Sequence, residues 1–124
     1  MSLTQPMPGI LPEKLCVGFQ SAVELIGRRW SAAILMAISC GAERFGEIAK
    51  LVDGLSDRLL SQRLKELEGQ GLIIRTIVPT TPAHSVYTLT ERGRELMKVL
   101  TLLAEWANKD TRPVPPGPAD GKKT

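Results

Sequence analysis

The chain has 124 residues, enough for one domain with a modest core, and its 43% hydrophobic content is that of an ordinary globular protein. No apolar run approaches the roughly 18 residues of a membrane-spanning helix, and no export signal opens the chain, so we expect no membrane partner. The net charge of +3 argues little for nucleic acid, since +2 of it arises in residues 111–124. Two cysteines are too few for a disulfide framework or a metal site, which favours a reduced, cytoplasmic compartment.

Two helices are predicted in the first third of the chain, after a flexible arm over residues 1–11. Pro12 suits the first turn of a helix, so the first helix covers about 12–26. Its apolar residues recur at helical spacing and are Leu15, Phe19, Ala22 and Ile26. Gly27 breaks this helix. The next helix is apolar nearly all round over 33–38, so it should be central and buried.

The sequence Gly27-Arg28-Arg29-Trp30 joins these two helices. We expect Trp30 to anchor the core, because tryptophan buries a large area wherever it can. Arg28 and Arg29 precede the second helix, where two guanidinium groups and the positive helix end can hold a phosphate. A solvated pair of charges explains the same residues, and the sequence alone leaves both interpretations open.

A second pair of helices follows. Residues 45–52 form a short amphipathic helix, which a very short strand over 43–45 precedes. Gly54 supplies the freedom for a sharp turn, and Ser56 stands where an N-cap belongs. The next helix carries one apolar stripe, formed by Leu60, Leu64 and Leu67. Gly69 and Gly71 end this helix.

The face opposite the leucine stripe is polar. At about 100° per residue, the side chains at this face are Arg58, Gln62 and Lys65, flanked by Ser61 and Glu66. Such side chains can contact phosphates and base edges. A short helix, a glycine turn and a capped helix with a polar face are typical of a helix-turn-helix. An ordinary helical hairpin with a solvated face has the same pattern, so this stretch by itself leaves both open.

A β-hairpin is predicted after the helix pair. Residues 72–78 are rich in β-branched residues and 85–89 alternate, so both should be strands, joined by a six-residue loop over 79–84. In a winged helix this hairpin is the wing, and its tip lies near the DNA backbone. Arg75 is the fixed positive charge nearest the tip, and we expect His84 to be a plain loop residue.

The last helix covers about 90–109, with Thr90 as its N-cap. Its apolar stripe exceeds what so small a domain can bury, which predicts a dimer interface. The interface residues assigned on the first and last helices are Leu15, Phe19, Leu96, Leu100, Leu103 and Trp106. Residues 111–124 are rich in proline and glycine and should be a disordered tail. The fold class is mainly α with a small β-hairpin: a winged helix-turn-helix domain over 12–110 with dimerisation helices at both ends.

Several short segments match a known family in residues and in order. They are Cys16, Gly27-Arg28-Arg29-Trp30, Arg44-Phe45-Gly46-Glu47-Ile48, Leu55-Ser56, the segment 60–68, Gly71-Leu72-Ile73 and the segment 86–93. Together they resemble the HxlR family of bacterial winged helix transcriptional regulators over about 15–107. The resemblance implies a homodimer that binds a pseudo-palindromic operator in double-stranded DNA, in the cytoplasm and associated with the nucleoid.

The same resemblance makes the helix over 56–68 the recognition helix. The positions that match the family's DNA-contacting residues are Ser56, Arg58, Ser61, Gln62 and Lys65. Gln62 could recognise adenine, and Arg58 a guanine or a phosphate. The residues that would hold phosphates are Arg28, Arg29 and Arg75. No cofactor, metal ion or catalytic residue is expected.

Some members of this family sense oxidants or electrophiles through a cysteine at the position of Cys16. Placement near a helix N-terminus can favour the reactive thiolate, which makes Cys16 a candidate thiol switch. A small buried hydrophobe in the first helix also explains Cys16. The chain departs from the family pattern twice. Val17 follows the cysteine where a proline is usual, and Gly27-Arg28-Arg29-Trp30 replaces the usual Gly-Gly-Lys-Trp.

Two other functions are weaker alternatives. A winged helix can serve as a protein–protein interaction module without DNA binding, and the weakly basic domain keeps this alternative open. Salt dependence separates the two, because binding through several phosphates weakens steeply with salt. An enzyme is not expected, since the chain has one histidine, no glycine-rich phosphate loop after a strand and no metal-ligand spacing.

Overall fold

A computed structural model describes residues 13–109, with side chains from residue 17 onward. The elements of this part of the chain are, in order, α1 Glu13–Gly27, α2 Ser31–Ser39, α3 Phe45–Leu51, α4 Asp57–Gly69, β1 Ile73–Val78, β2 His84–Leu89 and α5 Glu91–Lys109. The predicted fold class, mainly α with a small β-hairpin, is confirmed. The arm predicted over 1–11 and the tail predicted over 111–124 lie outside the described residues.

The helix α2 is the centre of the fold, since it packs against α1, α3, α4, β2 and α5. The buried apolar residues around it are Ile34, Leu35, Ala37, Ile38, Ala42, Ile48, Val52, Leu60, Leu64, Leu67, Leu72, Ile73, Met97 and Leu100. As predicted, α2 is central and buried, although Ala33 and Met36 are exposed on its outer face.

Trp30 occupies the turn between α1 and α2 in a left-handed conformation, with φ of 80°. As predicted, its side chain packs against the core. Gly54, in the turn between α3 and α4, also has a positive φ of 89°, and a Cβ added there would lie 3.5 Å from the indole ring of Trp30. The indole therefore packs against the helix-turn-helix turn and connects it to the start of α2.

The helix α3 begins at Phe45, so the short strand predicted over 43–45 is wrong. Oε1 of Glu47 accepts hydrogen bonds from the backbone N–H groups of Arg44 (3.1 Å) and Glu43 (3.0 Å), a capping arrangement that favours helix from Phe45 onward. These two bonds, to Arg44 first and then to Glu43, hold the pKa of Glu47 below its ordinary value. The segment still pairs with the hairpin through one backbone hydrogen bond, from Tyr87 N to Glu43 O at 2.8 Å.

The strands β1 and β2 form an antiparallel hairpin in which Ile73 pairs with Leu89 and Val78 with His84. His84 therefore begins β2, and the tip, residues 79–83, is one residue shorter than predicted. Thr80 closes the tip, because its N–H donates to Val78 O at 2.9 Å and its hydroxyl donates to Pro82 O at 2.9 Å.

The helix α5 is joined to the hairpin through Thr90. Its hydroxyl accepts from Gly93 N at 3.0 Å, as an N-cap should, and donates to Gly71 O at 2.6 Å. Gly93 is buried against the backbone of Leu72, so closely that a Cβ there would overlap the Leu72 carbonyl oxygen. Leu100 is 5% exposed inside this protomer, so its assignment to the dimer interface is wrong.

Candidate nucleic-acid interface

The helix α4 has one buried face and one polar face. Leu60, Leu64 and Leu67 are at most 1% exposed. The exposed residues on the other side of the helix are Arg58, Ser61, Gln62 and Lys65. The predicted division of the helix is therefore confirmed, and contact of its polar face with DNA stays a prediction.

Ser56 starts this helix as the sequence predicted. Its hydroxyl oxygen accepts from Leu59 N at 3.1 Å and so satisfies one of the free N–H groups of the first turn. Asp57 lies in the same first turn, where a negative charge suits the positive end of the helix. Ser56 thus holds the geometry of the helix that carries the polar face.

The sequence predicts Glu66 only as a flanking residue of the polar face, but the structure gives its carboxylate three side-chain partners. Its Oε2 accepts from the Arg28 guanidinium at 3.2 Å and from Gln62 Nε2 at 3.4 Å. The Arg63 guanidinium donates to both carboxylate oxygens, at 3.3 and 3.4 Å. Two of the predicted DNA-contacting residues, Arg28 and Gln62, therefore share one carboxylate with Arg63.

Arg63 ties α4 to the turn before α2. Its Nε donates to the carbonyl oxygen of Arg29 at 2.9 Å, and its side chain is only 11% exposed. The neighbouring Arg29 places its guanidinium carbon 5.1 Å from the centre of the Trp30 ring, which is within cation–π distance. The position of Arg63 beside the leucine stripe indicates a partly covered side chain. It does not indicate the Arg29 carbonyl as its partner, because Arg29 is 34 residues away along the chain.

The wing contributes one arginine to the candidate interface. Nε of Arg75 donates to Ser85 Oγ at 2.9 Å across the hairpin, which fixes the side chain on the strand. The tip over 79–83 has no lysine or arginine. His84 lies at the base of the tip, with Nδ1 3.3 Å from the Thr80 hydroxyl. The fixed positive charge of the wing therefore lies on β1, as expected.

A second surface of the protomer is apolar. The exposed hydrophobic residues on α1 and α5 are Val17, Phe19, Val23, Val99, Leu102, Leu103 and Trp106. Trp106 is 67% exposed, and Leu96 is partly buried against the core. Leu15 and Cys16 lie in α1, but their side chains are outside the described part of the structure. Apolar area of this extent on two helices is what a partner surface requires.

Neither a membrane-spanning helix nor a metal-ligand cluster is found in the described residues, 13–109. No helix of this part of the chain is long and apolar enough to cross a membrane. Within the same residues, no three His, Cys, Asp or Glu side chains are grouped so that they could hold a metal ion. Cys40, at the C-terminal end of α2, is exposed and unbridged.

A family model described as HxlR-like helix-turn-helix matches residues 25–114. The chain belongs to the HxlR-like helix-turn-helix family. It is a DNA-binding transcriptional regulator, and its family is one of transcriptional regulators rather than enzymes. The resemblance inferred from the short sequence segments is thereby confirmed.

Two Bacillus subtilis relatives show how far the similarity of this HxlR-type regulator extends. The helix-turn-helix transcriptional regulator YvaP is 38% identical over 96 residues, which cover 77% of this chain and 89% of YvaP. The helix-turn-helix transcriptional regulator YodB is 36% identical over 99 residues, covering 80% of this chain and 88% of YodB. Both relatives are therefore matched over most of their length.

Solved structures of relatives have the same fold as this HxlR-type regulator. The reduced form of YodB superposes with a TM-score of 0.68 at 35% identity, covering 81% of this chain and 94% of YodB. The redox regulator HypR in its oxidised form gives a TM-score of 0.71 at 28% identity, covering 78% and 99%. YodB has also been solved after diamide treatment and with a bound quinone.

Proposed function

We propose that this regulator acts as a homodimer whose two α4 helices enter successive major grooves of a pseudo-palindromic operator. The observation that supports this most is the exposed polar face of α4, held outward by a buried leucine stripe and capped by Ser56. Arg58, Ser61, Gln62 and Lys65 are the exposed side chains that would meet bases and phosphates.

Phosphate contacts come from the residues beside this face. Arg75 on β1 and Arg29 in the turn before α2 would provide positive charge for these contacts in the proposed complex. We expect Arg28 to contribute less than the sequence suggested, because its guanidinium is already paired with the Glu66 carboxylate at 3.2 Å. Bound to its operator, the protein would be in the cytoplasm and associated with the nucleoid.

The apolar surface of α1 and α5 supports the dimer. Phe19, Leu103 and Trp106 are each about half exposed or more, at 54%, 48% and 67%. A twofold dimer would cover this surface in both protomers at once, since an isologous interface uses the same patch twice. Leu15 and Leu96 stay in the proposed interface, and Leu100 does not.

In vitro selection from a pool of randomised duplexes tests the proposal. The expected product is a pseudo-palindrome whose half-sites are separated by about 34–36 Å, one turn of duplex. A pool that enriches no motif after repeated rounds would contradict operator binding. Enrichment of a single half-site, without its inverted copy, would contradict the dimer.

Cys16 is a candidate for a second property, a response to thiol-reactive compounds. The relatives solved in reduced, diamide-treated, quinone-bound and oxidised forms support it, as does the position of Cys16 in α1, one of the proposed dimer helices. A covalent change at this position would alter the spacing of the two α4 helices. Operator affinity before and after diamide should change in the wild type and in Cys40→Ser, but not in Cys16→Ser. An equal response of all three proteins would remove Cys16 from the account.

A further inference from the structure

The carboxylate of Glu66 lies between the recognition helix and the turn before α2. It accepts hydrogen bonds from three side chains, of which Gln62 and Arg63 are on its own helix and Arg28 is 38 residues away along the chain. Glu66 is one-third exposed and Arg28 half exposed, whereas Arg63 is nearly covered. Glu66 and its three partners thus extend from the covered side of α4 to the edge of its polar face.

Arg63 makes the position of this carboxylate rigid. Its guanidinium holds both oxygens of Glu66 while its Nε donates to the Arg29 carbonyl oxygen at 2.9 Å. A carboxylate with two charged partners, one of which is itself fixed by a second hydrogen bond, has few alternative rotamers. Glu66 is therefore a fixed acceptor beside the flexible side chain of Gln62.

The hydrogen bond from Gln62 to Glu66 has a consequence for base recognition. A glutamine amide carries two N–H donors and one oxygen acceptor. One donor faces Glu66 Oε2 at 3.4 Å, which leaves one donor and the acceptor. That remaining pair is what adenine requires at N7 and at its N6 amino group in the major groove.

We propose that Glu66 is a positioning residue that sets the base preference of the recognition helix by orienting the amide of Gln62. The carboxylate does not touch the base itself. It holds the amide with its donor and acceptor outward, so that adenine is favoured at one position of each half-site. This inference rests on the proposed function, because it requires that α4 lie in the major groove.

The test is the base preference at that position, measured by in vitro selection followed by competition between duplexes that carry each of the four bases there. The variants are Glu66→Gln, Gln62→Ala and the combination of the two. Glu66→Gln keeps the shape of the side chain and leaves the bond from Arg63 to the Arg29 carbonyl oxygen in place, and a thermal melt checks that each variant is folded. Glu68→Gln is the matched control, since it removes the same charge from an exposed side chain of the same helix that has no partner within the described residues.

Glu66→Gln should reduce the preference for adenine by about three- to tenfold, because a neutral amide oxygen holds the Gln62 amide more weakly than a carboxylate does, and a loosely held amide loses more freedom on binding. Glu68→Gln should leave the preference unchanged. In the absence of the Gln62 amide, Glu66→Gln should have no further effect on base preference, although it can still change overall affinity.

Two results would overturn the inference while leaving operator binding intact. One is a Glu66→Gln protein that loses affinity equally for all four bases. The other is a change of preference that is as large in the Gln62→Ala background as in the wild type. A wild-type protein that binds no selected duplex would overturn the proposed function together with this inference, so the two failures are distinguishable.

Discussion

Among the glycines of the described residues, Gly93, the third residue of α5, has the least room for a side chain. A Cβ built on Gly93 would overlap the Leu72 carbonyl oxygen and would lie 3.3 Å from Cδ2 of Leu89. The carbonyl cannot move away easily, because it accepts from Thr90 N at 3.0 Å and Leu72 directly precedes β1. Gly93→Ala must therefore push α5 away from the start of the hairpin.

Three contributions determine how much Gly93→Ala changes the free energy of unfolding. Overpacking a rigid site costs about 1–3 kcal/mol, and a weakened bond from Thr90 N to Leu72 O costs about 1 kcal/mol more. Alanine recovers about 1 kcal/mol, since it is a better helix former than glycine. We expect Gly93→Ala to lower the free energy of unfolding by about 1–3 kcal/mol, which corresponds to a Tm lower by roughly 4–20 °C for a domain of this size.

Thermal unfolding followed by circular dichroism, at a fixed protomer concentration, measures this change. Gly46→Ala in α3 is the matched control, because a Cβ at Gly46 meets nothing within 4 Å. That control should be neutral or stabilising by up to about 1 kcal/mol. A Gly93→Ala protein as stable as the wild type would show that α5 does not pack on Leu72 in this way.

Three further predictions concern DNA affinity, the dimer and pH. Arg58→Ala should weaken operator binding, measured by fluorescence anisotropy, by about 1–3 kcal/mol if Arg58 contacts a base edge, whereas Lys98→Ala on α5 should not. An Arg58→Ala protein that binds the operator as tightly as the wild type would contradict the placement of α4 in the major groove. Trp106→Ala should weaken the dimer about fivefold or more in analytical ultracentrifugation. Leu51→Ala, at a hydrophobic residue of similar exposure on α3, should have no effect. The pKa of Glu47 is lowered in the folded protein, so its carboxylate contributes fully to stability when the pH is above the ordinary glutamate pKa of about 4.3. This contribution is lost as the pH falls through the lowered pKa. Glu47→Gln should therefore be less stable than the wild type at pH 7 in thermal melts, and the difference should shrink below about pH 4; a constant difference would refute the capping role.

The sequence predicted α4 well because its determinants are local. A capping serine, leucines at helical spacing and a polar opposite face are all properties of one helix, and Ser56, Leu60 and Leu64 lie where these patterns place them. The strand predicted over 43–45 failed because the helix begins at Phe45 without the usual sequence signal. Glu47 accepts from the backbone N–H groups of Arg44 and Glu43, which is the acidic half of a capping box, but Arg44 is not one of the small polar N-cap residues that reveal such a box in a sequence.

The remaining errors concern contacts between elements. The stripe of α5 is apolar over a wide arc, and its division between the core and a partner depends on where α2 packs, so Leu100 could not be separated from Leu103 by periodicity. The role of Glu66 depends on Arg28, which chain folding brings to it from the turn before α2. No spacing rule connects two residues so far apart, and a glutamate on an exposed helix face has many ordinary explanations.

The salt dependence of operator affinity tests the central claim most directly. Two protomers that each place Arg29, Lys65 and Arg75 on phosphates would make about six such contacts, which gives a slope of log K against log salt of about −5. Between about 50 and 200 mM salt, the wild-type protein should lose about a thousandfold in affinity for its selected duplex. A slope near zero would show that the polar face of α4 does not meet DNA and would favour a protein–protein interaction module instead.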